Sequence, residues 1–145
     1  MMTDLKYSVK QAGWTEHKEA IQLIRIEVFI VEQHVPETLE WDGLDDSCIH
    51  VLAVSDQQKP LGTARLLHSG QICRMAVLKE ARHRGIGTSM LHTLLNIARK
   101  LPLDSVFLNA QLQALNFYIN HGFRAVGPVF NEAGILHRKM VHKLK

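Results

Sequence analysis

Arg82-His83-Arg84-Gly85-Ile86-Gly87-Thr88 is the segment on which the fold turns. A β-type run, Gln71 to Val77, precedes it. Met90, Leu91, Leu94 and Ala98 follow at the spacing of an amphipathic helix, which stops near Lys100, just before Pro102. The segment is therefore a strand-to-helix turn. Its glycines let backbone N–H groups approach a ligand without interference from Cβ. A helix start adds unpaired N–H donors and the positive end of its dipole, a combination that suits a pyrophosphate. Arg82 and Arg84 add charge, and Thr88 adds a hydroxyl donor. The glycine spacing and Lys-Ser/Thr pair of a P-loop are missing, as are the three glycines of a dinucleotide fingerprint after a first strand. Taken alone, the segment reads equally well as a structural turn.

Upstream, Leu5 to Gln11 reads as a first strand ending at Gly13, and Thr15 is placed to cap the helix that follows. Ile21, Ile24, Val28 and Val31 recur on one face of that helix. Glu32 to Asp46 breaks the pattern with Pro36, Gly43 and six acidic residues, and reads as a loop with one short helix. Three strands follow, Cys48 to Val54, Leu61 to Leu67 and Gln71 to Val77, separated by short polar turns as in an antiparallel meander. Downstream come a strand from Ser105 to Ala110, a helix from Ala114 to His121 stopped by Gly122, and two strands, Phe123 to Phe130 and Ile135 to Leu144. The order predicts an α+β fold with a mixed, mostly antiparallel central sheet flanked by helices.

The chain has 145 residues, 46% apolar and 21% charged, with no linker-like stretch and no repeat. That balance fits a single domain, 1–145, rather than a disordered chain. Met1 to Lys6 lack the apolar core of a signal peptide, and no apolar run approaches the roughly 20 residues of a membrane span. A cytoplasmic protein without membrane partners is expected, with Cys48 and Cys73 reduced. The net charge of +3 comes from scattered basic residues, which argues against nucleic acid as a partner. The nine histidines show no recognised ligand spacing, so no metal is expected.

With these residues in view, the chain resembles the GNAT N-acetyltransferase superfamily. Arg82, Gly85 and Gly87 match its pyrophosphate loop, R/Q-x-x-G-x-G/A. Ala114, Tyr118, Gly122 and Phe123 match its second signature, A-x-x-x-Y-x-x-x-G-F. The resemblance implies an enzyme that takes acetyl-CoA as acyl donor and moves its acetyl group directly to a primary amine of a small molecule or peptide. A non-catalytic acyl-CoA-binding or sensing module is the alternative. By the same resemblance, backbone groups of Met75, Ala76 and Val77 pair with the pantetheine arm. The N–H groups of Arg84, Gly85, Ile86, Gly87 and Thr88 hold the pyrophosphate, with Arg82 beside them. Asn109, Gln111 and Asn116 complete the implied cofactor set, Gln111 standing where many members carry Asn. Tyr118 takes the place of the acid that protonates the departing thiolate. A narrower likeness to small, single-domain bacterial members of mostly unknown acceptor rests on Val28 to Gln33, Asp45, His50, Asn109-Ala110-Gln111, Ala133-Gly134-Ile135, His137 and Met140. It implies an acceptor pocket between the loop after the first helix and the last hairpin. Oligomeric state is left open, a homodimer included.

An acceptor amine resembling lysine arrives mostly protonated, because its pKa lies near 10.4. Glu32, Asp45, Glu132, His50 and His137 are the candidate bases, with Gln33 beside Glu32 in the pocket wall. Glu32 ends an apolar helix face, where partial burial is expected. His137 interrupts a strand-like run facing the pocket, or else points outward as an ordinary strand histidine. Tyr118 itself reads either as the acid or as a packing aromatic. The acidic loop either draws in a cationic acceptor or is simply solvated.

Overall fold

The computed structural model describes residues 5–145. Met1 to Asp4, part of the stretch read as lacking a signal peptide, lie outside the described residues. The elements are β1 (Tyr7–Ala12), α1 (Trp14–Arg25), a π-helical segment (Ile26–Glu32), α2 (Glu37–Glu40), β2 (Ile49–Ser55), β3 (Pro60–Leu66) and β4 (Ile72–Val77). After them come α3 (Ile86–Arg99), β5 (Ser105–Gln111), α4 (Leu115–Ile119), β6 (Arg124–Glu132) and β7 (Ile135–Lys143). This is the expected α+β order.

The β-structure forms two antiparallel sheets, ordered β1-β2-β3-β4 and β5-β7-β6. They meet where Gln71 and Phe107 form a parallel bridge and Phe107 N donates to Gly70 O at 3.0 Å. Gly70 has φ 97°, and a Cβ there would lie 3.0 Å from Ser105 O, so glycine allows this close approach. Past the bridge no ladder joins β4 to β5. The β3–β4 register shifts between Thr63 and Arg65, opposite Arg74, whose φ is 55°. A bulge bends its strand, and this one lies where β4 parts from β5.

Helices cover both faces of the first sheet. Val51 and Ala53 of β2 pack with Met90, Leu91 and Leu94 of α3, while Leu52 and Val54 pack with Ile21 and Ile24 of α1. Burial on both faces explains why Val51-Leu52-Ala53-Val54 is a continuous apolar run. The α3 core also takes Val106 and Leu108 from β5 and Met140 from β7, so it spans both sheets.

Three local expectations are corrected. Helix α1 starts at Trp14 with Gly13 as its cap residue, leaving Thr15 inside the first turn, because β1 continues to Ala12. Val31 is 56% exposed, because the π-helical winding takes it off the face that Ile21, Ile24 and Val28 share. The second-signature helix begins as a 3-10 turn, Leu112–Ala114, and only Leu115–Ile119 is α-helical. Gly122 ends it as expected, with φ 92°.

Candidate functional site

Helix α3 begins beside the gap between β4 and β5. Gly85 adopts φ 86° as its cap residue, and no side chain caps the helix. The first intrahelical bond runs from Ser89 N to Gly85 O at 3.0 Å, so the N–H groups of Ile86, Gly87 and Thr88 precede the helical ladder. Buried Ile86 anchors this turn in the core. A residue in the left-handed conformation directly before three free N–H groups forms a concave donor set suited to an anion. Arg84 is half-buried beside it.

Arg82 serves the turn differently from the expectation. Its Nε donates to Val77 O at 3.0 Å, and both terminal nitrogens bind Glu32 at 2.6 Å. The guanidinium stitches the turn to the end of β4 and to the π-helical segment. Glu32 is exposed rather than partly buried. The hydrogen bond from Arg82 holds its carboxyl below the usual range, which makes it a poor proton acceptor.

Val77 and Ala76 face opposite ways. Leu78 N donates to Leu61 O at 2.9 Å, and Val77 and Ala76 lie opposite Gly62 and Thr63. Antiparallel bonding alternates. The Ala76 backbone is therefore committed to β3, while the Val77 N–H points into the gap and the Val77 C=O, on the same side, accepts from Arg82. For a pantetheine arm Val77 therefore offers its N–H, and Ala76 offers neither backbone group.

Toward the π-helical segment and α2 the gap opens onto a cavity of about 540 Å³. It brings together Met75, Asn109, Gln111, Gln33, Tyr118, Glu132 and His137. Gln111 Nε2 donates to Gln33 Oε1 at 2.9 Å, tying β5 to the segment after α1. Asn116 is exposed on α4 and does not line the cavity. Tyr118 is buried, its hydroxyl 3.5 Å from Met75 Sδ and its ring edge-on to Phe117 and Phe123. Burial pushes its hydroxyl up to about 12, so it stays protonated at neutral pH. His137 faces inward, 7% exposed, and stacks on Phe130.

Neither Asp45 nor His50 lines the cavity. His50 is buried against Trp14 with Nε2 2.7 Å from Asp45 O, and burial lowers its pKa. Asp45 belongs to a feature that sequence reading missed. Arg25 binds Glu40 and Asp45, Arg65 binds Asp45 and Asp42, and Arg74 binds Asp42 and Glu40, all at 2.6–3.4 Å. Three cations and three carboxylates alternate in a closed ring. Arg25 and Arg65 are 0% and 2% exposed. The ring clamps the segment from Glu40 to Asp45 onto α1, β3 and β4. Half of the acidic residues expected to attract a cation or lie solvated are thus neutralised. Cys73 meets Arg65 Nε at 3.3 Å, but burial raises its thiol pKa, and both cysteines are free.

The ring should make the fold acid-sensitive. Burial alone would raise the Asp42 carboxyl, but hydrogen bonds from Arg65 and the Leu44 N–H bring it down to about 2. Asp45 is lowered the same way, against its burial, by Arg25 and Arg65. A depressed folded-state pKa contributes stability that is fully present above the unfolded value of about 3.9 and is lost below it. We expect stability to fall as pH drops from about 4 to about 2, with a shallower fall in Asp42→Asn. Urea unfolding across that range checks this, and a flat profile in the parent chain would contradict it.

Among the described residues, no group of three His, Cys, Asp or Glu could hold a metal, and no helix is long and apolar enough to cross a membrane. Residues 9–144 match the acetyltransferase (GNAT) domain family. The chain is 37% identical over 122 residues to an uncharacterised N-acetyltransferase, YjcF, of Bacillus subtilis, covering 81% of this chain and 86% of that one. An acyl-CoA N-acyltransferase from Pseudomonas aeruginosa superposes with a TM-score of 0.81 at 34% identity, over 95% of this chain and 99% of that one. Escherichia coli ElaA superposes with a TM-score of 0.84 at 26% identity, over 94% and 99%.

Proposed function

This chain belongs to the acetyltransferase (GNAT) domain family and is an acyl-CoA-dependent N-acyltransferase, and we propose that it moves the acetyl group of acetyl-CoA directly to a primary amine of a small molecule or peptide. The observation that carries this reading is the gap between β4 and β5. It lies between the uncapped start of α3, where Gly87 approaches Phe117 of α4, and the cavity lined by Met75, Asn109, Gln111 and Tyr118, with the Val77 N–H turned toward it. Pyrophosphate at Gly85 to Thr88 and a pantetheine arm along Val77 would deliver the thioester to Met75 and Tyr118. The Val77 N–H then faces the carbonyl oxygen as negative charge develops on it. Fixing the arm on backbone groups removes much of the entropy that acyl carbon and amine must otherwise lose on meeting. Residues 1–145 act as one domain in this reading, supported by the single α3 core. The unpaired cysteines accord with work in the cytoplasm. Thiol release from acetyl-CoA with a panel of polyamines, amino sugars and lysine peptides tests the proposal. Release with none of them would reject it.

Tyr118 is the proposed acid. A thiol titrates near 8.5, so complete proton transfer from a hydroxyl held at about 12 runs uphill. The hydroxyl therefore acts first as a hydrogen-bond donor to the growing thiolate. Its proton crosses as the tyrosinate is refilled. For Tyr118→Phe we expect turnover to fall about tenfold, below the usual hundredfold or more for general acids, with acetyl-CoA affinity unchanged. Steady-state kinetics with separate binding measurements check this. Unchanged turnover would reduce Tyr118 to packing.

A further inference from the structure

The structure assigns the acceptor amine to the pair His137 and Glu132, with His137 Nε2 taking the amine's proton and Glu132 drawing in its charge. This assignment rests on the acyl-transfer reading above. His137 Nδ1 lies 2.6 Å from Ile135 O. A carbonyl oxygen can only accept, so Nδ1 carries the proton and the neutral ring keeps its lone pair on Nε2. That nitrogen lies 3.7 Å from Glu132 Oε2, and both side chains line the cavity. The face-on contact with Phe130 (ring centroids 5.8 Å apart) and the Ile135 bond hold the ring from two sides.

The charges lining the cavity narrow the choice further. Its carboxylates, among the described residues, are Glu40, Asp42 and Glu132. Glu40 and Asp42 each bind two arginines of the ring. Glu132 lies outside the ring and is left to meet an arriving cation. The hairpin is built to present it. Ala133 and Gly134 take φ 53° and 79° at the tip, and Asn131 Oδ1 accepts Gly134 N at 3.1 Å.

In the reaction, the ammonium gives one proton to Nε2, leaving a free amine and an imidazolium beside Glu132. The amine attacks the thioester carbonyl carbon, a C–N bond forms, and the C–S bond breaks. Sulfur takes the Tyr118 proton, and the surplus proton on the new amide nitrogen refills the tyrosine. His137 releases its proton to water. The products are an amide, the free thiol and one proton.

Two experiments test the assignment on the full chain. The first is a long-range nitrogen-15 spectrum of the CoA-bound protein titrated with n-butylammonium. It should show His137 protonated on Nδ1, with the Nε2 resonance moving as the amine is added. The opposite tautomer, or an Nε2 resonance that stays in place, overturns the assignment. The second uses the best acceptor from the amine panel. His137→Ala should lose about a hundredfold in turnover and recover at least tenfold with added imidazole, while Glu132→Gln should raise the acceptor KM about two- to fivefold. Loss without rescue in a His137→Ala chain that still binds CoA would make His137 structural. Failure of the whole panel in the parent chain would count against acyl transfer itself, and the spectrum would still decide this assignment.

Discussion

Gly85→Asp is expected to abolish the thermal stabilisation that acetyl-CoA confers, while the protein stays folded. Bound at a hundredfold its dissociation constant, acetyl-CoA should stabilise the parent chain by about 2.7 kcal/mol. For a chain of this length that raises the melting temperature by roughly 5–10 °C. The substitution acts through position and charge. Gly85 is the cap residue of α3, and the N–H groups of Ile86 to Thr88 come directly after it. A carboxylate there repels a pyrophosphate where backbone must approach it. The fold itself can accept the side chain, since the nearest atom to an added Cβ is Tyr7 Oη at 3.5 Å, an ordinary contact. The φ of 86° costs about 1–2 kcal/mol, a penalty aspartate bears better than most residues. Melting curves with and without acetyl-CoA check this. A Gly85→Asp chain that kept the parent's shift would move the pyrophosphate elsewhere.

Arg25→Met is expected to cost about 3–5 kcal/mol of stability, the usual result of removing one partner from a buried ion pair. Arg25 is fully buried, binds Glu40 and Asp45, and lies 5.1 Å from the Trp41 ring centroid. Methionine fills part of the volume but leaves the ring with two cations and three carboxylates. Glu40 and Asp45 each keep one arginine, Arg74 and Arg65 respectively. That favours the lower half of the range. Loss should also loosen the segment from Glu40 to Asp45, which forms one side of the cavity. Denaturant unfolding measures the cost. A change under about 1 kcal/mol, typical of exposed pairs, would mean that the ring is not shielded from water.

These two positions were unequally legible in the sequence. Gly85 could be read because its neighbours say what it does. A strand ends before it, an amphipathic helix starts after it, and Arg82, Gly85 and Gly87 fall on a recognisable spacing. The antiparallel pairing of β2, β3 and β4 followed from the short turns between them in the same way. The ring stayed hidden because its six members come from separate elements, and pairing across elements leaves no periodic trace. One signal was present. Arg25 follows Ile24 on the apolar stripe of α1, and Arg65 interrupts the run from Leu61 to Leu67. A cation on an apolar face demands a carboxylate partner. The acidic loop from Glu32 to Asp46 could have been matched to those arginines instead of to solvent or a cationic ligand. Ala76 and Val77 could not be told apart for a related reason. Which of two adjacent residues turns its backbone toward a gap depends on register, which the β4 bulge at Arg74 shifts. Val31 and Thr15 were misplaced by local structure, π-helical winding in the first case and a longer β1 in the second.

If the gap between β4 and β5 delivers an acetyl thioester to an amine in the cavity, the acetyl carbon itself must end in an amide. Acetyl-CoA labelled in the acetyl carbonyl carbon, incubated with the protein and the amine panel, follows that atom. Label should appear in an amide product, equimolar with free CoA thiol, at a rate that falls in Tyr118→Phe and is lost in Gly85→Asp. Tight acetyl-CoA binding with no label transferred to any amine would contradict delivery and leave the chain a non-catalytic acyl-CoA-binding module.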